Sequence, residues 1–219
     1  MDTEGQKQQH YVITIGRQFG CGGREIGRAV AQLLGIGYYD KELLVELAAK
    51  SGCDAAYFEA ADERRPSFLG NLWSFNVGGY SSANLVGNVG VNSIDDIYHA
   101  QSQVMRDIAD RGSCVIVGRT ADYILRDHCT VLSVFVHSTL ADRVARIIAR
   151  GDSDNENAAA QLANKKNQLR ADYYNFYTDK RWGEAASYDL SIDSTVLGIE
   201  GTAAVIAEWA RRSLSARCR

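Results

Sequence analysis

An excess of positive charge, paired cysteines and long apolar runs are all missing from this chain, and each absence removes a class of function. The 24 Lys and Arg residues are outnumbered by 27 Asp and Glu, giving a formal net charge of -3 and a pI near 5.8. With no overall positive field to draw in nucleic acid or an anionic membrane, any phosphate must be bound by local placement of arginine, lysine and backbone N–H groups. The cysteines Cys21, Cys53, Cys114, Cys129 and Cys218 are odd in number, scattered and never spaced as CxxC. That argues against a disulfide framework or a zinc site and for a reducing compartment. The opening MDTEGQKQQH lacks the apolar stretch of a signal peptide. No run approaches the ~18 apolar residues of a membrane span, and no internal repeat is visible. The expectation is a cytoplasmic, soluble protein whose partners include neither nucleic acid nor membrane.

What is present is an ordinary globular composition, 46% hydrophobic and 23% charged, in a chain long enough for one sizeable core. Residues 1–9 read as a disordered tail and 10–219 as a single domain. Short β-rich runs at Tyr11–Ile15, Ile36–Tyr39, Cys114–Gly118, Val131–Val136 and Tyr188–Asp193 alternate with helical periodicities. The helical patterns run through Ile26, Val30 and Leu34, through Leu43, Leu44 and Leu47 behind Asp40, and through Ile97, Val104 and Ile108 behind an N-cap at Ser93. Two more follow, through Leu140, Val144 and Ile147 and through Ile199, Ala203 and Ile206. This alternation predicts an α/β fold: a central parallel sheet of about five strands, covered by helices on both faces. Ligands in such sheets bind at the carboxyl ends of the strands. Residues 66–92, rich in Gly, Asn and Ser with interleaved aromatics, break the rhythm and read as an insertion over a pocket.

Between the first strand and the first helix lies Gly16-Arg17-Gln18-Phe19-Gly20-Cys21-Gly22-Gly23-Arg24-Glu25. Glycines here let successive N–H groups approach a phosphate, and a helix starting near Gly23 aims its positive end at the same point. The segment departs from the standard G-x-x-x-x-G-K-[ST] loop. Gly23 stands at the lysine position, Arg24 follows it, and Glu25 comes next with no Ser or Thr ready for Mg²⁺. Arg24 is the expected substitute for the lysine charge. A dinucleotide fingerprint is the competing reading: Gly20 and Gly22 supply two glycines and Asp40 a ribose contact, but Glu25 stands where the third glycine belongs.

Taken together, VITIGRQFGCGGREIGRAVAQLLGIGYYDKELL, CVIVGRTADYIL, DRVARIIAR and YDLSIDSTVLGIEGT resemble the cytidylate kinase-like family of P-loop nucleoside monophosphate kinases. The resemblance covers most of residues 11–205. It implies a three-layer P-loop NTPase fold with a helical lid at about 151–186, and transfer of a phosphoryl group from ATP, with Mg²⁺, to a pyrimidine nucleotide such as CMP or dCMP. By the same resemblance Gly16, Gly20, Cys21, Gly22, Gly23, Arg24, Glu25 and Arg146 would hold the donor, Asp40, Arg119 and Asp122 would face the acceptor, and Arg24, Arg119 and Arg170 would act in the transfer. The lid is thin in arginine, since KKNQLRADYY keeps only Arg170 beside Lys165 and Lys166. With the missing lysine, this leaves open a nucleotide-binding regulatory protein of the same fold with little or no turnover. The run Tyr173, Tyr174, Phe176, Tyr177 and Trp182 offers either a stacking surface for a base or a face that packs a helix onto the core.

Overall fold

The computed structural model describes residues 10–40, 43–44, 94–118 and 120–217. The helix expected behind Asp40 beyond Leu44, the N-cap at Ser93, the insertion at 66–92 and Arg119 lie outside the described residues.

Five parallel strands form the sheet: β1 (Tyr11–Arg17), β2 (Gly37–Tyr39), β3 (Cys114–Val117), β4 (Thr130–His137) and β5 (Leu190–Asp193), in the order β2-β3-β1-β4-β5. β1 lies at the centre, its Val12 facing Cys114 of β3 on one side and Val131 of β4 on the other. It is longer than its apolar run suggests, because Gly16 and Arg17 stay paired with Phe135 and Val136.

The pleat sorts β1 between two cores. Ile13 and Ile15 pack with Val115, Val134 and Val136 beneath α1 (Gly23–Leu34) and α6 (Ser194–Arg217), which contributes Ala203, Ile206 and Ala210. Val12 faces the other way, with Ile116, toward α2 (Ile94–Arg111) and the short α3 (Ala121–Ile124), through Val104, Met105, Ile108 and Ile124. Both faces are therefore covered, as the alternating sequence requires.

A third cluster stands apart from the sheet. α4 (Leu140–Ala149) brings Val144 and Ile147 against Ala159 and Ala163 of α5 (Glu156–Tyr177), with Phe19 of the glycine loop at its margin. Asn155 caps α5, its Oδ1 accepting the Ala158 N–H at 2.9 Å. α5 falls within residues 151–186, where the resemblance implied a helical lid, and only Ala159, Ala163 and Tyr174 of its 22 residues are buried.

All the loops that matter leave the same edge of the sheet, and Ser194 ties two of them together. This side chain is fully buried, with its hydroxyl 3.0 Å from the Cys21 carbonyl and 3.1 Å from the His137 carbonyl. Replacing it by alanine leaves both carbonyls without this donor. Ser194→Ala is expected to cost about 1 kcal/mol and to lower the melting temperature by about 2–4 °C, measured by calorimetry.

Candidate functional site

The chain turns from β1 into α1 through two left-handed glycines, Gly20 (φ 85°) and Gly22 (φ 82°). Gly22 is the N-cap of α1 and offers no side chain to the helix. The loop is held tightly from behind. A β-carbon on Gly20 would sit 2.8 Å from the Arg143 carbonyl oxygen. Cys21 turns its thiol inward, 3.4 Å from the Val136 carbonyl that accepts from it.

Arginines surround this loop. Burial raises the Cys21 thiol, while Arg170, Arg17 and Arg146 pull it back down, a sign that all three guanidinium groups are near. Arg146 of α4 places Nη1 beside Gly22, where an added β-carbon would lie 3.3 Å from it, and pairs with Asp142 at 3.1 Å. Arg143, one turn earlier, is buried, and desolvation lowers its pKa. Its Nε donates to the Ser138 carbonyl at 3.3 Å, and its buried Nη1 has no hydrogen-bond partner among the described residues. Arg170 of α5 donates from Nη1 to the Arg17 carbonyl at 3.1 Å and lies 5.5 Å from the Phe19 ring centroid. Uncapped helix N–H groups and an orphaned buried guanidinium nitrogen fit a polyphosphate.

Arg17 itself runs from the end of β1 across the start of α1. A β-carbon on Gly23 would fall 2.7 Å from Arg17 Cβ, and one on Gly118 would fall 2.6 Å from its Cζ. Beside it a small pocket opens between β1, β3 and α5, lined by Arg17, Gly118, Asp122, Arg170, Tyr173 and Trp182. Asp122 is buried in its wall. Its Oδ2 accepts the Tyr174 hydroxyl at 2.7 Å and lies 3.7 Å from Lys180 Nζ. Burial raises its pKa above the ordinary carboxylate value, against the Tyr174 hydrogen bond and the Lys180 charge.

Residues 12–196 match the cytidylate kinase-like family. The chain belongs to that family. Its fold is that of a P-loop kinase. An uncharacterized protein from Eubacterium ventriosum is 25% identical, with a TM-score of 0.67 over 91% of this chain and 98% of that one. Two more distant likenesses show the fold. A gluconokinase from Sinorhizobium meliloti has 13% identity and a TM-score of 0.51, over 95% and 97% of the two chains. A shikimate kinase from Bacteroides thetaiotaomicron has 10% identity and a TM-score of 0.53, over 92% and 98%. The sequence has no significant match among curated proteins. Among the described residues no helix is long and apolar enough to cross a membrane.

Within this family framework the expected residues divide. Gly20, Gly22, Gly23, Arg146 and Arg170 gather at the loop, and Asp122 lies beside it in the pocket wall. Gly16 lines the same pocket, and its missing side chain makes room for Phe135 and Tyr188, each 3.1 Å from where a β-carbon would stand. Arg24 and Glu25 are exposed on the first turn of α1. Asp40 is buried and engaged: Oδ1 accepts the Leu43 N–H at 3.2 Å, and Oδ2 accepts the Tyr38 hydroxyl at 3.1 Å. That is the helix-capping use of an aspartate.

The aromatic run mainly packs α5 onto the body. Tyr177 stacks on Tyr98 with centroids 4.3 Å apart, Tyr174 is buried beside Tyr188, and Trp182 meets Phe135 edge-on at 5.1 Å. No hydroxyl stands at position 24, and no group of three His, Cys, Asp or Glu among the described residues is placed to hold a metal. Sequence reasoning missed Arg17, Arg143, Asn167 and the Tyr174–Asp122 bond. Asn167 Oδ1 accepts the Phe19 N–H at 2.7 Å, joining α5 to the loop.

Tyr174→Phe leaves the buried Asp122 carboxylate with Lys180 as its remaining side-chain partner and is expected to cost about 1–3 kcal/mol. The folded protein binds the Asp122 proton more tightly than the unfolded chain, so stability falls as pH rises from the ordinary carboxylate value of 3.8 through the raised one. Removing the hydroxyl raises the folded value further. The decline should be steeper and extend to higher pH in the variant, as read from urea midpoints across a pH series.

Proposed function

We propose that this protein transfers the γ-phosphoryl group of ATP to a pyrimidine nucleoside monophosphate, CMP or dCMP. One observation carries the reading: a helix N-terminus, reached through Gly20 and Gly22, has Arg146 beside Gly22 and Arg17 against Gly23, and Arg17 also lines, with Arg170, the pocket that holds Asp122. Such a reaction needs positioning and charge neutralisation more than covalent help from the protein. The acceptor's phosphate oxygen is already anionic near neutral pH, so it attacks the γ-phosphorus without a base, and ADP leaves with the electrons of the broken P–O bond.

In this reading the backbone N–H groups from Gly20 to Arg24 cradle the donor phosphates, with Gly16 and Glu25 flanking them. Arg143 and Arg146 neutralise charge from α4. Arg170 reaches the transferring group from α5, which with its neighbours at about 151–186 acts as the lid. Arg119 and Asp122 face the acceptor, and Asp40 shapes the same side through Tyr38, whose hydroxyl lies 3.3 Å from the Arg24 carbonyl. Magnesium is proposed to arrive on the nucleotide's own phosphates, since the loop offers no hydroxyl to hold it.

A second reading, a nucleotide-binding regulatory protein without turnover, is favoured by the Asn167–Phe19 bond, which occupies a loop N–H from within the chain. An ADP-release assay with Mg-ATP and each of CMP, dCMP, UMP, AMP and GMP separates the two. The kinase reading expects ADP with CMP or dCMP and little with the purine nucleotides. No ADP with any acceptor, while ATP raises the melting temperature, would replace it with the second reading.

A further inference from the structure

The glycine loop carries two departures that answer one another. In the register G-x-x-x-x-G-K the first glycine position is Arg17 and the lysine position is Gly23. The charge and the glycine have changed places across the mouth of the loop.

The structure shows why both changes occur together. Gly23 opens α1 and, unlike Gly20 and Gly22, is not among the glycines with positive φ, so its backbone does not require glycine. What requires it is the Arg17 side chain: a β-carbon on Gly23 would meet Arg17 Cβ at 2.7 Å and Cγ at 2.8 Å. Any lysine in that position would have to start from the space Arg17 already fills. At its far end the Arg17 guanidinium fills the place of a side chain on Gly118, at the end of β3. The Arg17 backbone is fixed by its pairing with Val136 and by the bond from Arg170 Nη1 to its carbonyl. The side chain is thus laid across the start of α1, between the ends of β1 and β3, on the wall of the pocket it shares with Arg170.

We infer that Arg17 takes the place of the missing P-loop lysine, supplying the fixed positive charge for the terminal phosphates of a bound polyphosphate. This inference rests on the reading of the loop as a triphosphate site. A guanidinium stays charged in any protein environment and offers a planar fork of donors to two phosphate oxygens. Gly23 and Gly118 are the matching recesses, one for the aliphatic stem and one for the head.

The swap can be reversed. ATP, ADP and inorganic tripolyphosphate are titrated by calorimetry into the wild-type protein, Arg17→Gly, Arg17→Lys, Gly23→Lys and the double variant Arg17→Gly/Gly23→Lys, whose unliganded melting curves confirm folding. Arg17→Gly is expected to weaken ATP and tripolyphosphate about tenfold or more and ADP less, with Arg17→Lys retaining part of the affinity. Gly23→Lys alone is expected to lose stability and affinity through the collision with Arg17. The double variant should recover most of both, because a lysine on α1 then enters an empty channel. Unchanged ATP affinity in a folded Arg17→Gly protein, or a double variant no better than either single one, overturns the assignment while leaving the triphosphate reading standing. A wild-type protein that binds neither ATP nor tripolyphosphate overturns both.

Discussion

The left-handed turn at Gly20 and Gly22 is the constraint on which the rest of the molecule depends. It lets the central strand give way to a helix within a few residues, with an N-cap, Gly22, that offers no side chain to the helix. A backbone of that shape is not held by its own hydrogen bonds, so it must be gripped from outside. α4 presses its Arg143 carbonyl against Gly20, Ser194 reaches the Cys21 carbonyl, Ile199 of α6 lies beside Gly22, and Asn167 of α5 takes the Phe19 N–H. Separate parts of the chain therefore register on one loop.

Charge is organised on the same local principle. The chain carries a net charge of -3, yet arginines from β1, α4 and α5 lie around one loop. They come from elements far apart in sequence, so no cluster of basic residues advertises the site. Concentrating positive potential in a partly buried mouth gives each group a stronger interaction than it would have on an open surface. It also spares the outer surface a field that would attract other polyanions.

Much of the fold was legible because its signals are local. Apolar β-rich runs and amphipathic helices alternate clearly, and all five strands lie where the runs lie. α5 was signalled by the resemblance rather than by periodicity, because it packs through two alanines and one tyrosine, which leaves almost no periodic pattern. The end of β1 was hidden because Gly16 and Arg17 extend the ladder without extending the apolar pattern. In the site, Arg146 and Arg170 could be picked out as helix residues near the loop. Arg17 could not, since nothing about an arginine after a strand says where its side chain goes until Gly23 and Gly118 are seen to lack one. Arg24, expected to substitute for the missing lysine charge, is exposed on the first turn of α1. Asp40 shows the general difficulty: a carboxylate at a strand end is the same letter whether it meets a ligand or caps a helix.

The sheet order has a consequence for how the molecule is made. β1 comes first in sequence among the described strands but occupies the middle of the sheet, and its two neighbours are β3 and β4, the nearer pairing joining Val12 to Cys114. The long segment from α1 to β3 must follow before β1 finds either neighbour. Until then Tyr11–Ile15 is an apolar segment with both hydrogen-bonding edges open, the kind of stretch that pairs with the wrong neighbour when chains crowd together. Large loop closure also slows the search itself. The glycine turn that follows β1 therefore precedes in sequence the strands that hold it, and takes its final form only after they pair.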